Sequence, residues 1–290
     1  ITMGAEAGIA LTTGSYNVAV GHGALATEDT GGRNTAMGYR ALNSLNNDAS
    51  SYNVAVGYDA GANVSTGVRN VIMGGLAGDA LTTGSYNVAV GYNALSAEDA
   101  GHYSTAIGYS ALAVQDATDA YNVAVGFDVG KLITSGANNT LVGGLAGDAL
   151  TTGSRNVAVG TSALSLEDAH GRNVAVGWYA LFAQDAGADA YNTAVGYFAG
   201  GTISTGTENT LIGGLAGDAL TTGVRNTAVG YLALSTEDTH SYNTAIGTYS
   251  LLALNAGADG YNTAVGYNTG QAMTTGVNNT LVGSLAGDGI

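Results

Sequence analysis

The sequence predicts an all-β fold, a parallel β-solenoid of about 17 coils. The motif N-x-x-x-G recurs from one end of the chain to the other, and the residue numbers of most successive copies differ by 17, 18 or 19. Inside the motif, β-branched residues alternate with smaller ones, which is typical of a short strand. Such a unit is too short for a strand–helix–strand unit, which takes roughly 30 residues. Each unit is therefore expected to bury its apolar residues by stacking on the next.

The first residue of the motif is Asn in 15 of 16 units, and Ser104 takes its place in the remaining one. In stacked coils these residues lie over one another. We expect their side-chain amides to hydrogen-bond along the stack and to satisfy buried turn groups, as in a structural asparagine ladder. The predicted ladder consists of Asn17, Asn34, Asn53, Asn70, Asn87, Asn122, Asn139, Asn156, Asn173, Asn192, Asn209, Asn226, Asn243, Asn262 and Asn279.

A second period lies above the first, because four coil types recur in a fixed order. Asn17 and Asn87 differ by 70 in residue number, and Asn87 and Asn156 differ by 69. This four-coil super-repeat leaves no room for a separate globular region and shows no linker. We therefore expect residues 1–290 to form one continuous solenoid domain, the shaft fragment of a fibre.

One coil of the first type shows how a unit is expected to fold. Val88 and Val90 flank a small Ala and are predicted to lie in the core, while Leu95 closes a second face. Gly91 ends the strand, because a residue without a Cβ can take the positive φ of a sharp corner. Small Ala and Gly on the second face of the strand indicate close packing on a neighbour. A homotrimer would bury both faces and cover the strand edges.

Composition excludes several classes of function. Seven Lys and Arg against 22 Asp and Glu give a net charge of −15, which argues against binding to nucleic acid or to anionic lipid. The absence of Cys excludes disulfides, thiolate metal sites and Cys nucleophiles. No apolar run is long enough for a transmembrane helix, so we expect no membrane insertion. The chain begins with Ile1 and shows no signal peptide, which is typical of a fragment or a processed product.

Two stretches carry a family resemblance: LTTGSYNVAVGYNAL (residues 81–95) and NNTLVGGLAGDALTTGSRNVAVG (residues 138–160). They resemble the repeats of phage tail-fibre proteins, written around TTGxYNTAxGYxAL, which often stand before an endosialidase-type intramolecular chaperone. This likeness covers essentially the whole chain. The N-x-A-[VI]-G core alone is also similar to the S-x-A-I-G repeat in the head of YadA-like trimeric autotransporter adhesins, a left-handed parallel β-roll. The resemblance implies an elongated trimeric fibre that binds a host.

Pairs of acidic residues recur once in each super-repeat. Four near-identical copies argue against a single glycosidase site, which needs one acid and one partner carboxylate. Stacking would place Asp99 over Asp116 and Asp168 over Asp185, about one strand spacing apart. Two interpretations follow: a solvated acidic rim, or cation sites. Calcium is the candidate cation, because it accepts carboxylate and carbonyl oxygens; no other cofactor is predicted. The pairs are Glu28-Asp29, Glu98-Asp99, Glu167-Asp168 and Glu237-Asp238.

Aromatic residues occupy two repeated positions, one after the motif glycine and one before the motif asparagine. They are expected to form columns that cover a thin core, or to stack against sugar rings of a host glycan. The set before the asparagine includes Tyr52, Tyr86, Tyr121, Tyr191 and Tyr261. The candidate glycan-stacking residues follow the glycine: Tyr39, Tyr58, Tyr92, Tyr109, Trp178, Tyr197, Tyr231 and Tyr267.

These observations favour a structural and adhesive fibre without enzymatic activity, the shaft of a trimeric phage tail fibre or a similar surface fibre. Its expected partners are copies of itself and a glycan or protein receptor on a host cell, and its expected location is a virion surface, the extracellular space or a cell surface. Three alternatives stay open. They are the head of a bacterial trimeric autotransporter adhesin, a tailspike-type polysaccharide hydrolase, and an ice-binding solenoid suggested by repeated Thr-Thr pairs such as Thr82-Thr83.

Overall fold

The structure, a computed structural model, describes residues 1–288; residues 289 and 290 of the predicted domain lie outside the described part. The described residues form short strands joined by turns, without a helix, and so contain no helix that could cross a bilayer. They fall into two compact units, Ile1–Gly144 and Leu145–Ile290. Within each unit every strand pairs in parallel with the strand of the next coil, which confirms the predicted all-β solenoid of about 17 turns.

Each coil contributes a single strand, and all strands except the first have three residues. The strands of the first unit are β1 (Thr2–Met3), β2 (Val18–Val20), β3 (Thr35–Met37), β4 (Val54–Val56), β5 (Val71–Met73), β6 (Val88–Val90), β7 (Thr105–Ile107), β8 (Val123–Val125) and β9 (Thr140–Val142). Those of the second unit are β10 (Val157–Val159), β11 (Val174–Val176), β12 (Thr193–Val195), β13 (Thr210–Ile212), β14 (Thr227–Val229), β15 (Thr244–Ile246), β16 (Thr263–Val265) and β17 (Thr280–Val282).

The central residue of each strand faces the core, whereas the sequence predicted that the two flanking residues would do so. Ala89 is fully buried, whereas Val88 and Val90 on either side of it are half-buried. The reason is the alternation of side chains along a strand. The preceding residue, Asn87, points inward to reach backbone groups, so the next inward position is the central alanine. The expectation that the flanking valines lie in the core was therefore wrong. The small residues pack inside their own coil and give no indication of a neighbouring chain.

Leucines in the turns fill much of the core. Leu95 is fully buried, as predicted, but it lies in a turn with φ near 52° rather than on a second strand. Every fourth coil instead places a large residue such as Ile72 at the centre of its strand. In the coil before Ile72, Gly61 occupies the position that corresponds to Leu95. A Cβ added there would lie 2.8 Å from Cδ1 of Ile72. Large and small residues thus alternate between coils, which gives the four-coil super-repeat a packing explanation.

The glycine at the end of each strand is required for two reasons. Gly91 has φ near 132°, a conformation that strains any residue with a side chain. An added Cβ would also lie 2.3 Å from the carbonyl oxygen of Gly108 in the next coil. The corner therefore allows the coils to approach as closely as parallel strand pairing demands.

The asparagine ladder connects side chains to the backbone of the next coil. Asn87 accepts the N–H of Ser104 with Oδ1 at 2.9 Å and donates from Nδ2 to the carbonyl of Gly101 at 2.7 Å. The amide-to-amide contacts expected from the sequence occur only at a few rungs, for example Asn209 to Asn192 at 3.2 Å. Where Ser104 replaces Asn, Gln115 donates to its Oγ at 2.8 Å and accepts from Nδ2 of Asn122 at 2.7 Å, so a glutamine bridges this rung to the next.

Two rungs show what the longer connections do to the ladder. Asn34 and Asn173 each keep the Oδ1 contact to the next coil, at 3.0 and 3.2 Å. Their Nδ2 atoms, however, are buried without a hydrogen-bond partner. Each of the two is followed by a lengthened connection, 19 residues to Asn53 and 19 residues to Asn192. The longer connection moves the turn carbonyl that accepts from Nδ2 at other rungs out of reach.

We expect Asn87→Ala to destabilise the chain by about 2–5 kcal/mol, because it leaves one buried N–H and one buried C=O without partners. The matched control is Asn63→Ala at an exposed turn, where the expected change is within about 0.5 kcal/mol. Chemical denaturation followed by circular dichroism measures both. Equal losses in the two variants would contradict a backbone-satisfying role for the ladder.

Candidate functional site

The outward side of the strands forms an uncharged surface of aliphatic and threonine side chains, which we call the strand face. It consists of the first and third residue of each strand, and all of these are Val, Thr, Ile or Met in the described strands. In the first unit, Met37 and Met73 are each 43% exposed. In the second unit, Ile212 is 40% exposed. Because neighbouring strands lie about 4.8 Å apart, these side chains form a continuous strip without charge in each unit.

A column of stacked rings, the post-glycine column, runs along one side of the strand face. Tyr39 and Tyr58 stack with ring centroids 5.2 Å apart and an interplanar angle of 9°. In the second unit Trp178 and Tyr197 stack at 5.0 Å and 8°. Stacking at this distance covers both ring faces of Tyr39 and Tyr109, so these two rings offer only their edges to solvent. The column contains His22, Tyr39, Tyr58, Tyr92, Tyr109 and Phe127 in the first unit, and Trp178, Tyr197, Tyr231 and Tyr267 in the second.

The column is interrupted where the fourth coil type carries glycine. Gly75 follows Tyr58 in the column, and Gly144 follows Phe127. The rings that precede these gaps are more exposed: Tyr58 is 58% and Phe127 55% exposed, against 43% for Tyr39 and 48% for Tyr109, which each have a ring on both sides. Gly214 creates the same gap beside Tyr197 in the second unit. On the far side of Gly75 and Gly214, Tyr92 and Tyr231 lie close enough that an added glycine Cβ would be 3.5 Å from Cδ2 of each ring. Each gap therefore leaves one face of the preceding ring without a stacked neighbour, a shape that suits the apolar face of a sugar ring.

A second column, the pre-asparagine column, lies on the other side of the strand face and contains arginines as well as tyrosines. The guanidinium of Arg33 lies 5.0 Å from the ring centroid of Tyr16 and 5.4 Å from that of Tyr52. Farther along the first unit, Tyr103 and Tyr121 stack at 4.9 Å. Five of the seven basic residues of the chain occupy this position. The sequence-based prediction named only tyrosines at this position. The arginines can nevertheless be identified in the sequence, because each directly precedes a motif asparagine. They are Arg33, Arg69, Arg155, Arg172 and Arg225.

The glutamates of the four acidic pairs are buried, which corrects the prediction that each pair marks an outer rim. Glu28, Glu98, Glu167 and Glu237 have no exposed surface. Their position in the coil points inward, and another coil type fills the same position with the buried Leu81. Each carboxylate accepts the peptide N–H three residues further on, at 2.7 Å for Gly31 and 2.8 Å for Gly101. Burial nevertheless raises the pKa of Glu28 and Glu98 above the ordinary value.

The aspartates predicted as cation ligands differ between the two units. Asp99 and Asp116 are exposed. Within residues 1–288 they belong to no cluster of three or more His, Asp and Glu ligand atoms. In the second unit, Asp168 and Asp185 come together with Glu167 and a histidine, and the four ligand atoms lie within 4.8 Å of one another. The predicted aspartate pair is thus joined by Glu167, which the sequence analysis named in its acidic pair, and by a histidine that it did not assign to the site.

The overlooked histidine can be recognised in the sequence. The acidic pairs of the second unit read E-D-x-H, at residues 167–170 and 237–240, whereas those of the first unit read E-D-x-G. His170 and His240 turn back toward the glutamate of their own coil. Their Nδ1 atoms lie 3.5 Å from Oε1 of Glu167 and 2.6 Å from Oε1 of Glu237, respectively. A single residue change between super-repeats therefore alters the chemistry of the acidic position.

Glu28 offers a test of the buried carboxylates by pH. Because burial raises its pKa, the folded chain holds the proton more tightly than the unfolded chain. The resulting stabilisation is complete below the ordinary pKa of 4.5 and is lost as the pH rises through the folded-state pKa. We therefore expect the melting temperature of Glu28→Gln to rise relative to the unmodified chain between about pH 4 and about pH 7.

The control is Glu208→Gln, at an exposed residue whose hydrogen bond to Arg225 lowers the pKa. Its contribution is lost as the pH falls, so the relative melting temperature of this variant should decrease slightly, if at all, over the same range. A difference for Glu28→Gln that does not change with pH would contradict the assignment of a raised pKa to this group.

Comparison of the chain with protein-family models, curated proteins and solved structures finds no match. The resemblance to tail-fibre repeats therefore rests on the repeat residues alone. The strand face, the two columns and the acid–histidine clusters carry the functional proposals.

Proposed function

We propose that this chain is the shaft of a trimeric phage tail fibre or a similar surface fibre, with a structural and adhesive role and no enzymatic activity. Three copies associate through their strand faces, and the glycine-gapped positions of the post-glycine column contact glycans on a host cell. The observation that carries this proposal is the uninterrupted, uncharged and exposed strand face. Only 10% of the residues are charged, and large aromatic rings are exposed beside the strand face.

The size of the strand face supports assembly. Nine strands about 4.8 Å apart, with outward side chains about 7 Å apart, give the first unit an uncharged strip on the order of 300 Å². An exposed patch of that size on a soluble protein is often functional. A stable interface buries about 800 Å² of each partner. The proposed contact therefore draws on the pre-asparagine column beside the strip as well as on the strip itself, and leaves the post-glycine column free for glycans.

The arrangement of the surfaces favours three copies. The strand face and the pre-asparagine column beside it are two adjoining surfaces, so one chain can contact two neighbours at once and keep its post-glycine column exposed. A closed ring of three requires two such contact surfaces on every chain. Support for the trimer comes from this outward surface and from the tail-fibre resemblance, because the small residues of the strands face the interior of their own coil.

The glycan contact is proposed at the gaps in the post-glycine column. Tyr58, Phe127 and Tyr197 each present one ring face that no neighbouring ring covers. These sites recur with the super-repeat, and repeated weak contacts along a fibre combine into strong attachment to a repeating polysaccharide. A net charge of −15 favours neutral or basic glycans at these sites over strongly acidic ones.

The alternatives find less support. A hydrolase needs a general acid that reaches its substrate, and the four recurring glutamates are fully buried. The Thr-Thr pairs do not supply the exposed threonine array that ice binding needs, because Thr82 already donates its hydroxyl to Asp99. Threonine also begins the six strands β12 to β17, where it alternates with valine or isoleucine on the strand face. A trimeric adhesin head shares both proposed surfaces and stays the second candidate, since its distinguishing features are a secretion signal and a membrane anchor.

We expect the purified chain to have a solution mass three times that of the 28.6 kDa chain, measured by light scattering during size exclusion. Replacing two strand-face residues, Val90→Lys with Ile107→Lys, should yield a folded monomer, because buried like charges oppose association. The control Val114→Lys replaces an exposed valine outside the strands and should leave the mass unchanged. A monomeric or dimeric unmodified chain would refute the trimer.

We expect the combined variant Tyr58→Ala, Phe127→Ala and Tyr197→Ala to bind an array of bacterial surface polysaccharides at least about tenfold more weakly. The control Tyr39→Ala with Tyr109→Ala removes rings that are covered on both sides and should keep most of the binding. An equal loss in both variants would contradict recognition at the gaps, and shortened polysaccharide chains after incubation would overturn the non-enzymatic role.

A further inference from the structure

The second unit contains two clusters that combine a buried glutamate with a histidine and aspartates. The first consists of Glu167, Asp168, His170 and Asp185, whose ligand atoms all lie within 4.8 Å of one another. Glu167 has no exposed surface, while Asp168 and Asp185 are exposed and the His170 side chain is 28% exposed. The cluster thus has a fixed inner ligand and an opening to solvent on its outer side.

Two buried atoms of this cluster lack hydrogen-bond partners. Oε1 of Glu167 accepts the N–H of His170 at 3.1 Å, but Oε2 has no partner, and neither has Nδ1 of His170. Gln184 of the next coil could donate to the glutamate, yet it instead donates to the carbonyl of Ser204 and accepts from Asn192. Buried polar atoms are nearly always satisfied in folded proteins, so these two indicate a missing partner that both a carboxylate and an imidazole can bind.

The first unit supplies an internal comparison. At the corresponding positions Glu98 Oε2 accepts from Gln115 at 2.7 Å, and Glu28 Oε2 accepts from the N–H of Asn47 at 3.3 Å. Both of these glutamates lack the histidine and both have each oxygen satisfied. In the second unit, Oε2 of Glu237 is also without a partner, and His240 accompanies it. The unsatisfied oxygen therefore occurs together with the histidine in both copies.

We propose that Glu167, Asp168, His170 and Asp185 bind a divalent transition-metal ion of the zinc class. One imidazole nitrogen and three carboxylates suit Zn²⁺ better than Ca²⁺, which prefers six to eight oxygen ligands. Metal–ligand bonds of about 2.0–2.1 Å in a tetrahedron place the ligand atoms roughly 3.4 Å apart. Closing the cluster to that size requires shifts on the order of 1 Å, which the exposed Asp168 and Asp185 side chains can make.

The second cluster forms a weaker site. Glu237, Asp238 and His240 supply three ligands, but Asn255 stands where the first cluster has Asp185. His240 also lies 2.6 Å from Glu237, a hydrogen bond that a metal ion would have to displace. Each chain therefore binds one ion tightly and a second one weakly. This inference goes beyond the proposed fibre function and holds for a single chain as well as for an assembly.

The experiment titrates the EDTA-treated full chain with ZnCl2 by calorimetry and with CoCl2 by visible absorption, which reports tetrahedral coordination. We expect two classes of site, and a melting temperature about 3 °C or more higher with saturating zinc. His170→Ala should abolish the tight site and leave the weak one, and His240→Ala should do the reverse. His22→Ala, at an exposed histidine outside both clusters, should change neither.

A gain-of-function variant keeps the test independent of folding defects. Asn255→Asp restores the fourth ligand of the second cluster and should tighten the weak site at least about tenfold, toward the affinity of the first. An unchanged weak site in this variant, a tight site that survives His170→Ala, or stabilisation by CaCl2 but not by ZnCl2 would each overturn the proposal.

Discussion

The asparagine rung is the interaction on which the rest of this structure depends. One side chain binds the peptide N–H of the next rung with Oδ1 and a turn carbonyl of the next coil with Nδ2, as Asn87 does with Ser104 and Gly101. Because this side chain must point inward, the strand that follows has its central residue inside and its flanking residues outside. The same bond therefore satisfies the buried backbone, fixes the spacing of the coils and decides which residues reach the surface.

The core is thin because only the central residue of each strand points inward. Alanine is the usual inward strand residue, so the remaining volume is filled by leucines in left-handed turns or, in every fourth coil, by one large strand residue such as Ile72. A glycine then replaces the turn leucine that would collide with it, as at Gly61. The pattern of large and small core residues therefore repeats every four coils. The glycine gap in the aromatic column recurs with the same period.

The acidic pairs show how a repeat can diversify without disturbing its fold. The glutamate keeps one structural bond in all four copies, to the N–H of the residue three positions later. In the first unit the second oxygen is satisfied by Gln115 or by a peptide N–H, whereas in the second unit it faces a histidine-bearing turn. The bond from the glutamate to the N–H three residues later is the same in all four copies, and the side chain that accompanies it changes.

The period of the motif by itself determined the solenoid, the number of coils, the corner glycines and the position of every ladder residue, because identical spacing forces identical residues to stack. Tertiary structure decided the direction of each side chain. Val88 and Val90 proved to lie outside because Asn87 must turn inward, and Glu98 proved to be buried because its position closes the coil. A repeat fixes which residues align along the stack, but only the closed coil shows which of them face its interior.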